Sequence, residues 1–484
     1  MNAFYRRLSL RQITILLLVS VGVLPFWLPL WPNYSHFPQY DIRTFTPTAW
    51  SGLVYALWLL VTMGLCWVAY QRVRRMAEPP RWLWVVALAV VLALLFLWVY
   101  PVNATDVYRY FIRGRVSSVY QANPFAVAPA QFPEDPYLPL AGEWASHTSP
   151  YGPVWELLAG LITRLFPQKL LLGLLAFKMV GALAFVGSGL LLWGILDKFP
   201  LGERLGRTLL WLWNPALLLI FVADGHNDGL MLFWLLLGVW LWHRGRVTLA
   251  WLVLPLAPLT KLIGLLALPF IFLGMWHTLN PARPFALSPA RGRLFFLALS
   301  SSLLLGFLAF LPFGSPLDLA VRLVQESRDG AGFSPLVLLY FGERFLGLSP
   351  SLSGLANAGT GVFGLLGVGL LVGAVRGRVA YRGISDIFAG YMAQALSFRI
   401  WYAAWFFPWT LADAEERRLR VGFVFLLTTQ LSVLIYGHLR IYLLAGDMGL
   451  AHLLGIPFTF LLPLLLAGAG SAHIPHSDMP QTEK

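Results

Sequence analysis

The chain has 484 residues, of which 58% are hydrophobic and only 12% are charged. Soluble globular proteins are about half apolar and about a quarter charged, so this composition excludes an ordinary soluble domain and indicates a membrane protein. The net charge of +13 would suggest nucleic-acid binding in a soluble protein. Here most arginines lie in short loops between apolar runs, where they set topology and contact anionic lipid head groups. We therefore predict membrane lipids, and no nucleic acid, as partners.

Apolar runs long enough to cross a bilayer recur from one end of the chain to the other. Arg6, Arg7 and Arg11 place the N-terminus in the cytoplasm by the positive-inside rule. The predicted fold class is all-α, a polytopic helical membrane protein with about 14 transmembrane helices. Several runs are short, so their helices must be tilted, broken or partly re-entrant. In chain order the predicted spans are residues 13–31, 52–70, 82–100, 170–196, 209–223, 229–242, 249–259, 262–276, 294–313, 355–375, 384–397, 401–412, 421–436 and 450–466.

The longest polar stretch follows the third predicted span. The basic loop at 72–81 is predicted to be cytoplasmic, so this span delivers residues 101–169 to the outer side as one large loop. Within that loop, residues 151–166 could form a further span or an amphipathic helix on the outer surface. We favour the surface helix, because a span would move every later basic loop to the outside. We predict one transmembrane domain at 1–469, with interfacial helices in the outer loop, and a disordered cytoplasmic tail at 470–484.

Asp106 lies just past the third predicted span, at the outer edge of the membrane. Two interpretations stay open for it: a carboxylate that acts on a lipid-borne substrate, and an N-cap for the amphipathic stretch that follows. Arg109 and Arg113 are spaced i,i+4 and share one helix face, where they could hold a phosphate or rest on lipid head groups.

Lys261 lies between two apolar segments, with no acidic neighbour in the sequence. It could provide a cation for a lipid phosphate, or it could be a snorkelling lysine at a helix end. The turn formed by Asp224, His226, Asn227 and Asp228 could bind a divalent metal or simply cap and join two helices. Its spacing matches no specific zinc or calcium pattern, so we predict no metal centre and no cofactor.

Seven short motifs follow one another along the chain. They are Asp106-Val-Tyr-Arg-Tyr, Asn123-Pro124-Phe125, Ser149-Pro150-Tyr151-Gly152-Pro153-Val154-Trp155, Trp213-Asn214-Pro215, Asp224-Gly-His-Asn-Asp228, Thr260-Lys261 and Ile400-Trp401-Tyr402-Ala-Ala-Trp405. In this order they resemble motifs of the polyprenol-phosphate-mannose-dependent alpha-mannosyltransferases of bacteria, which are C-type (GT-C) glycosyltransferases. The sequence departs from that family in two ways: two helices precede the one that presents Asp106, and Val107 stands where many C-type enzymes have a second acid.

The resemblance implies an inverting hexose transfer, with mannose as the expected sugar, from a polyprenyl-phosphate carrier to a hydroxyl of a glycolipid or glycan. The reaction would take place on the extracytoplasmic face of the plasma membrane, with Asp106 as the general base. A transporter or flippase of lipid-linked sugars, or another lipid-phosphate-dependent group transferase, is the alternative. The residues expected at the donor phosphate are Lys261, Arg399, Arg440 and His226. Those expected at the sugar or acceptor are Tyr108, Arg109, Tyr151, Asp224, Asn227, Asp228, Trp401 and Tyr402.

Overall fold

The computed structural model describes residues 8–279, 288–314, 332–341, 347 and 351–469. Regular structure in these residues is helical, apart from one isolated β-bridge. Nine of the helices are long and apolar enough to cross a membrane. The predicted class, an all-α polytopic membrane protein, is therefore confirmed. These nine helices are Leu10–Trp27, Ala49–Val73, Leu170–Ile195, Leu201–Ala223, Leu262–Leu279, Pro289–Phe310, Leu352–Val375, Glu416–Tyr442 and Met448–Gly468.

Each of the other predicted spans overlaps a helix that is shorter than a full crossing. The shortest, Ala403–Ala412, has 10 residues. At a rise of 1.5 Å per residue it covers about half of the roughly 30 Å of a bilayer's hydrocarbon. Its interior proline, Pro408, is compatible with a helix packed among other helices. The remaining short helices are Trp82–Leu97, Asp228–His243, Val247–Thr260 and Ala380–Gln394. The predicted tail at 470–484 lies outside the described residues.

Ion pairs gather several basic loops at one end of the helix bundle. Arg74 lies 3.4 Å from Glu203 and 3.0 Å from Glu416, and Arg382 lies 2.8 Å from Asp413. These contacts join four loops that carry the basic residues predicted to be cytoplasmic. Two helices, Trp82–Leu97 and Leu201–Ala223, start at this end and finish at the opposite one. The segments that follow them, beginning at residues 98 and 224, therefore lie at the end away from the basic loops.

The chain enters the predicted outer loop through a short antiparallel contact. Leu30 donates its backbone N–H to the Trp98 carbonyl (2.9 Å), and Tyr100 donates to the Leu28 carbonyl (2.7 Å). Two helices of 13 residues then follow, Asp106–Ser118 and Pro153–Leu165. Each is about 20 Å long, shorter than the hydrocarbon layer. That the second lies in the membrane interface stays a prediction.

These two helices pack against each other through small residues. A methyl group on Gly114 would collide with the Ala159 backbone, so the helix axes approach closely there. The segment between the helices is clamped by Arg115, which is buried and pairs with buried Asp135 at 2.8 Å. Arg115 also donates to the Pro167 carbonyl. Arg115 thus ties this segment to the first helix and to the residues that follow the second.

The helix Leu201–Ala223 ends in a π-helical turn at Leu219–Ala223. Its wider turn is closed by the Asp224 N–H, which donates to the Leu219 carbonyl at 2.8 Å. Gly225 then takes a positive φ of 69°, which glycine adopts without the steric cost that a side chain would bring. We call residues 224–228 the polar turn. π-Helical turns within α-helices occur often at functional sites, because the wider turn changes the direction of the side chains that follow.

The π-helical turn is packed tightly against the helix Leu170–Ile195 at Gly181. We expect Gly181→Ala to destabilise the protein by about 1–3 kcal/mol, because the added methyl group would strike the Phe221 carbonyl. The matched control is Gly64→Ala, in the middle of another spanning helix, where no atom lies within 4 Å of the added methyl group. Thermal unfolding in detergent measures both variants. Equal melting temperatures for the two would contradict the close packing.

Candidate active site

Asp106 starts the helix Asp106–Ser118, and its carboxylate turns into the protein. The residue is 6% exposed. Its Oδ1 accepts a hydrogen bond from the Tyr151 hydroxyl at 2.8 Å and lies 3.6 Å from Arg109 Nη1. Thr105 occupies the N-cap position, and no side-chain capping bond is formed there. The geometry therefore argues against the capping interpretation of Asp106, and a chemical role for its buried carboxylate stays a prediction.

The surroundings of Asp106 hold it in the ionised form. Burial favours the neutral acid, but the positive charge of Arg109 opposes it, together with weaker contributions from His226, the Tyr151 hydroxyl and Lys261. The net effect lowers the pKa of Asp106 to about 2. Arg109 itself is held over the Trp144 ring, 4.7 Å from its centroid. Asp106 is consequently a carboxylate at neutral pH.

Tyr151 connects Asp106 to the segment that carries Lys261. Its ring packs edge-on against Tyr110, with centroids 5.1 Å apart. The next residue, Gly152, donates its N–H to the Thr260 carbonyl at 3.0 Å. A side chain at Gly152 would collide with the Leu259 backbone. Two motifs that lie more than a hundred residues apart, Tyr-Gly-Pro and Thr-Lys, are thus in direct backbone contact.

Lys261 has an acidic partner that the sequence alone did not reveal. Its Nζ lies 2.8 Å from both carboxylate oxygens of Asp228, which is fully buried. The Trp405 indole N–H donates to the same carboxylate. The ammonium group also lies 5.5 Å from the Tyr402 ring and 5.6 Å from the Trp405 ring, within cation–π range. The snorkelling interpretation is therefore wrong, since the charge is held by an acid and two aromatic rings.

His226 lies between Asp228 and an aromatic wall. Its ring stacks on Trp401 with centroids 4.2 Å apart, and its Nδ1 is 3.9 Å from Asp228 Oδ2. The residue is 2% exposed, and its Nε2 has no hydrogen-bond partner among the described residues. Burial lowers the pKa of His226 to about 4, although Asp106 and Asp228 favour the protonated form. The imidazole is neutral at pH 7.

Asp224 and Asn227, the two other polar residues of the polar turn, are also buried. Asp224 lies near a lysine that the sequence analysis did not single out. Asp224 Oδ1 accepts from the Asn103 N–H at 3.4 Å, and burial raises the pKa of Asp224 well above its ordinary value. Lys178, fully buried in a spanning helix, places its charge near Asp224. Asn227 has neither side-chain polar atom paired within the described part of the chain. A lone lysine in an apolar span was the signal that could have revealed Lys178.

Not every predicted site residue joins this cluster. Arg399 directly precedes the turn Ile400–Tyr402, and its charge acts on Tyr402. Tyr108 is fully buried, and its ring lies 6.4 Å from the Tyr100 ring. Arg440 follows a second π-helical turn, whose His438 contacts Thr46 instead. In the residues that the structure describes, no contact joins Arg440 to Asp106 or Lys261, and no three His, Cys, Asp or Glu side chains are grouped to hold a metal ion.

The pair of buried Asp228 and partly exposed Lys261 should couple strongly in stability. We expect Lys261→Met alone to cost about 3–5 kcal/mol, because it leaves a buried carboxylate without its cation. The double variant Lys261→Met/Asp228→Asn should recover part of that loss. The matched control is Arg43→Met at the exposed Arg43–Asp41 pair, where both side chains are more than 40% accessible and the expected cost is below about 1 kcal/mol. Thermal and denaturant unfolding measure all three, and equal costs for Lys261→Met and Arg43→Met would contradict the pairing.

Comparison with known proteins identifies the family. A family model described as "Alpha-(1->6)-mannopyranosyltransferase, N-terminal domain" matches residues 13–277, a range that contains Asp106, Tyr151, the polar turn and Lys261. Alpha-(1->6)-mannopyranosyltransferase A of Corynebacterium glutamicum is 26% identical over 180 residues, covering 37% of this chain and 36% of that protein.

Two further relatives agree with this result. Alpha-(1->6)-mannopyranosyltransferase A of Mycobacterium tuberculosis is 27% identical over 173 residues, 35% of this chain and 33% of that protein. A probable alpha-(1->6)-mannopyranosyltransferase of Mycolicibacterium smegmatis is 25% identical over 371 residues, 67% of this chain and 63% of that protein. The chain spans about a third of the length of the first two relatives that it matches. No solved structure matches this chain.

The match to the family model covers more than half of the 484 residues. The resemblance to bacterial alpha-mannosyltransferases that the motifs indicated is confirmed, and the chain belongs to the alpha-(1->6)-mannopyranosyltransferase family.

Proposed function

We propose that this chain is an integral membrane, inverting mannosyltransferase. It moves mannose from a polyprenyl-phosphate carrier to a hydroxyl of a glycolipid or glycan, on the extracytoplasmic face of the plasma membrane. The names of the relatives support the sugar. The observation that carries the proposal is the ionised, buried carboxylate of Asp106 near Lys261, which is paired with the buried Asp228.

In this proposal Asp106 is the general base. The acceptor hydroxyl attacks the anomeric carbon and passes its proton to the carboxylate as the new bond forms. A carboxylate with a pKa of about 2 is a weak base. The donor phosphate, by adding a negative charge near Arg109 and Lys261, raises that pKa towards a more useful range. General-base assistance contributes about 10²–10⁴-fold to a rate.

Lys261 receives the departing phosphate. As the anomeric C–O bond breaks, its electron pair stays on the phosphate oxygen. The ammonium group has three N–H donors, and the two oxygens of Asp228 occupy two of them. The third remains for the phosphate, and the stacked rings of Tyr402 and Trp405 fix the position of the group. Stabilising developing charge with a fixed cation is usually the largest catalytic contribution.

The other predicted contacts keep the roles that the resemblance implies. His226 and Arg399 assist the phosphate, while no contact among the described residues supports this role for Arg440. The aromatic surface of Trp401 and Tyr402 suits the apolar face of a sugar ring, and the sugar or acceptor hydroxyl groups need polar partners. Those partners would be Tyr108, Arg109, Tyr151, Asp224, Asn227 and Asp228. Inversion of a β-linked donor gives an α-glycoside.

The extracytoplasmic placement rests on charge distribution. The loops joined by Arg74, Arg382 and their acidic partners lie at one end of the bundle, and basic loops remain in the cytoplasm. Asp106 and the polar turn follow helices that finish at the opposite end. A lipid carrier at that end would present its phosphate at the depth where the helices stop.

The central test is Asp106→Asn in purified protein given radiolabelled polyprenyl-phosphate mannose and a membrane acceptor fraction. We expect transfer to fall by about 10²–10⁴-fold with folding unchanged, because the amide cannot accept the proton. The matched control is Glu134→Gln, an exposed acid in the same loop, which should keep its rate. Product mass spectrometry measures transfer. An Asp106→Asn variant with a near-normal rate would remove Asp106 as the base.

A further inference from the structure

Four acids around the candidate site each lie near one cation. Asp106 faces Arg109 and Asp228 faces Lys261. Arg113 acts on Glu156, and Lys178 acts on Asp224. These four pairs supply no net positive charge, and Arg399, which acts on Tyr402, is a further cation near the site. A donor phosphodiester brings one negative charge, and burying a charge without a counter-charge is unfavourable.

His226 is a titratable group placed to add a positive charge beside the bound phosphate. It lies within the ring of paired charges, stacked on Trp401 and 3.9 Å from Asp228. Its Nε2 is buried and has no hydrogen-bond partner among the described residues. A buried polar atom without a partner destabilises the ligand-free protein, and a ligand that bonds to it would recover that cost.

Among the described residues, the charges that act on His226 come from three neighbouring elements. Asp106 and Arg109 lie on the helix Asp106–Ser118, Asp228 lies at the end of the polar turn, and Lys261 lies in its own segment. The two acids favour the imidazolium and the two cations oppose it, while burial keeps the pKa near 4. Adding an anion to this set shifts the balance towards protonation.

We propose that binding of the prenyl-phosphate donor is coupled to the uptake of one proton by His226. The proton comes from water, and the imidazolium then donates from Nε2 to a phosphate oxygen. No covalent bond changes in this step, and the donor stays a phosphodiester. The inference rests on the proposed function, because it assumes that the anion bound here is the donor phosphate.

The experiment measures donor affinity against pH. The probe is a short-chain prenyl-phosphoryl-mannose, added without acceptor to the protein in lipid nanodiscs, with tryptophan fluorescence as the readout. A phosphodiester does not titrate between about pH 5 and pH 8, so any pH dependence belongs to the protein. We expect Kd to weaken about tenfold per pH unit from pH 5 towards pH 7, the slope for one proton. Calorimetry in two buffers of different ionisation heat should show uptake of about one proton.

The matched variants locate the proton. His226→Asn should bind the probe with a pH-independent Kd, while His36→Asn, at an exposed histidine, should keep the wild-type slope. Arg399→Met, which removes another nearby cation, should weaken binding without changing the slope. If His226→Asn fails to fold, the two-buffer calorimetry on the unaltered chain still decides.

The outcomes separate the two proposals. A probe that binds with the same Kd at every pH overturns proton coupling and leaves the transferase proposal standing. A slope retained in His226→Asn overturns the assignment to His226. A probe that does not bind at any pH overturns both proposals.

Discussion

The carboxylate of Asp228 is the contact on which the arrangement of the site depends. It is fully buried, and its partners come from separate parts of the chain: Lys261, 33 residues on, and Trp405, 177 residues on. A buried carboxylate without partners costs several kcal/mol, so these segments must meet for Asp228 to be accommodated in the interior. The contacts of Asp228 fix the position of Lys261. The hydrogen bond from Gly152 to Thr260 then fixes the neighbouring Tyr151, whose hydroxyl donates to Asp106.

The site keeps features that work against stability. His226 and Asn227 hold buried polar atoms without partners among the described residues, and the helix before the polar turn is interrupted by a π-helical turn. Each such atom costs about 1–3 kcal/mol of stability, and the free energy gained from the surrounding packing has to offset this cost. Tightly packed tryptophans and glycines around the polar turn provide it. Departures of this kind from good packing are expected where a protein binds its substrate rather than where it only folds.

The motifs indicated residues that the structure brings together, but few of their contacts. Asp106, Tyr151, Lys261 and the polar turn were all singled out. The acidic partner of Lys261 could not be identified, because pairing between distant segments leaves no trace in the local sequence. Lys178 was overlooked, although a lone lysine in an apolar span is a local signal. Arg440 was expected at the donor phosphate because it is basic and was predicted to lie on the outer face. In the described residues, the π-helical turn before Arg440 contacts Thr46 instead.

The sequence by itself determined the class of the protein, its succession of apolar helices and the grouping of its basic loops. Hydropathy and charge act locally, so they can be read without knowing which helices touch. Only the tertiary structure decided which acid pairs with which cation and that Asp106 is buried rather than a cap. These pairings depend on which helix ends lie next to each other in space. The fit of side chains between helices sets that packing, and no single stretch of sequence determines it.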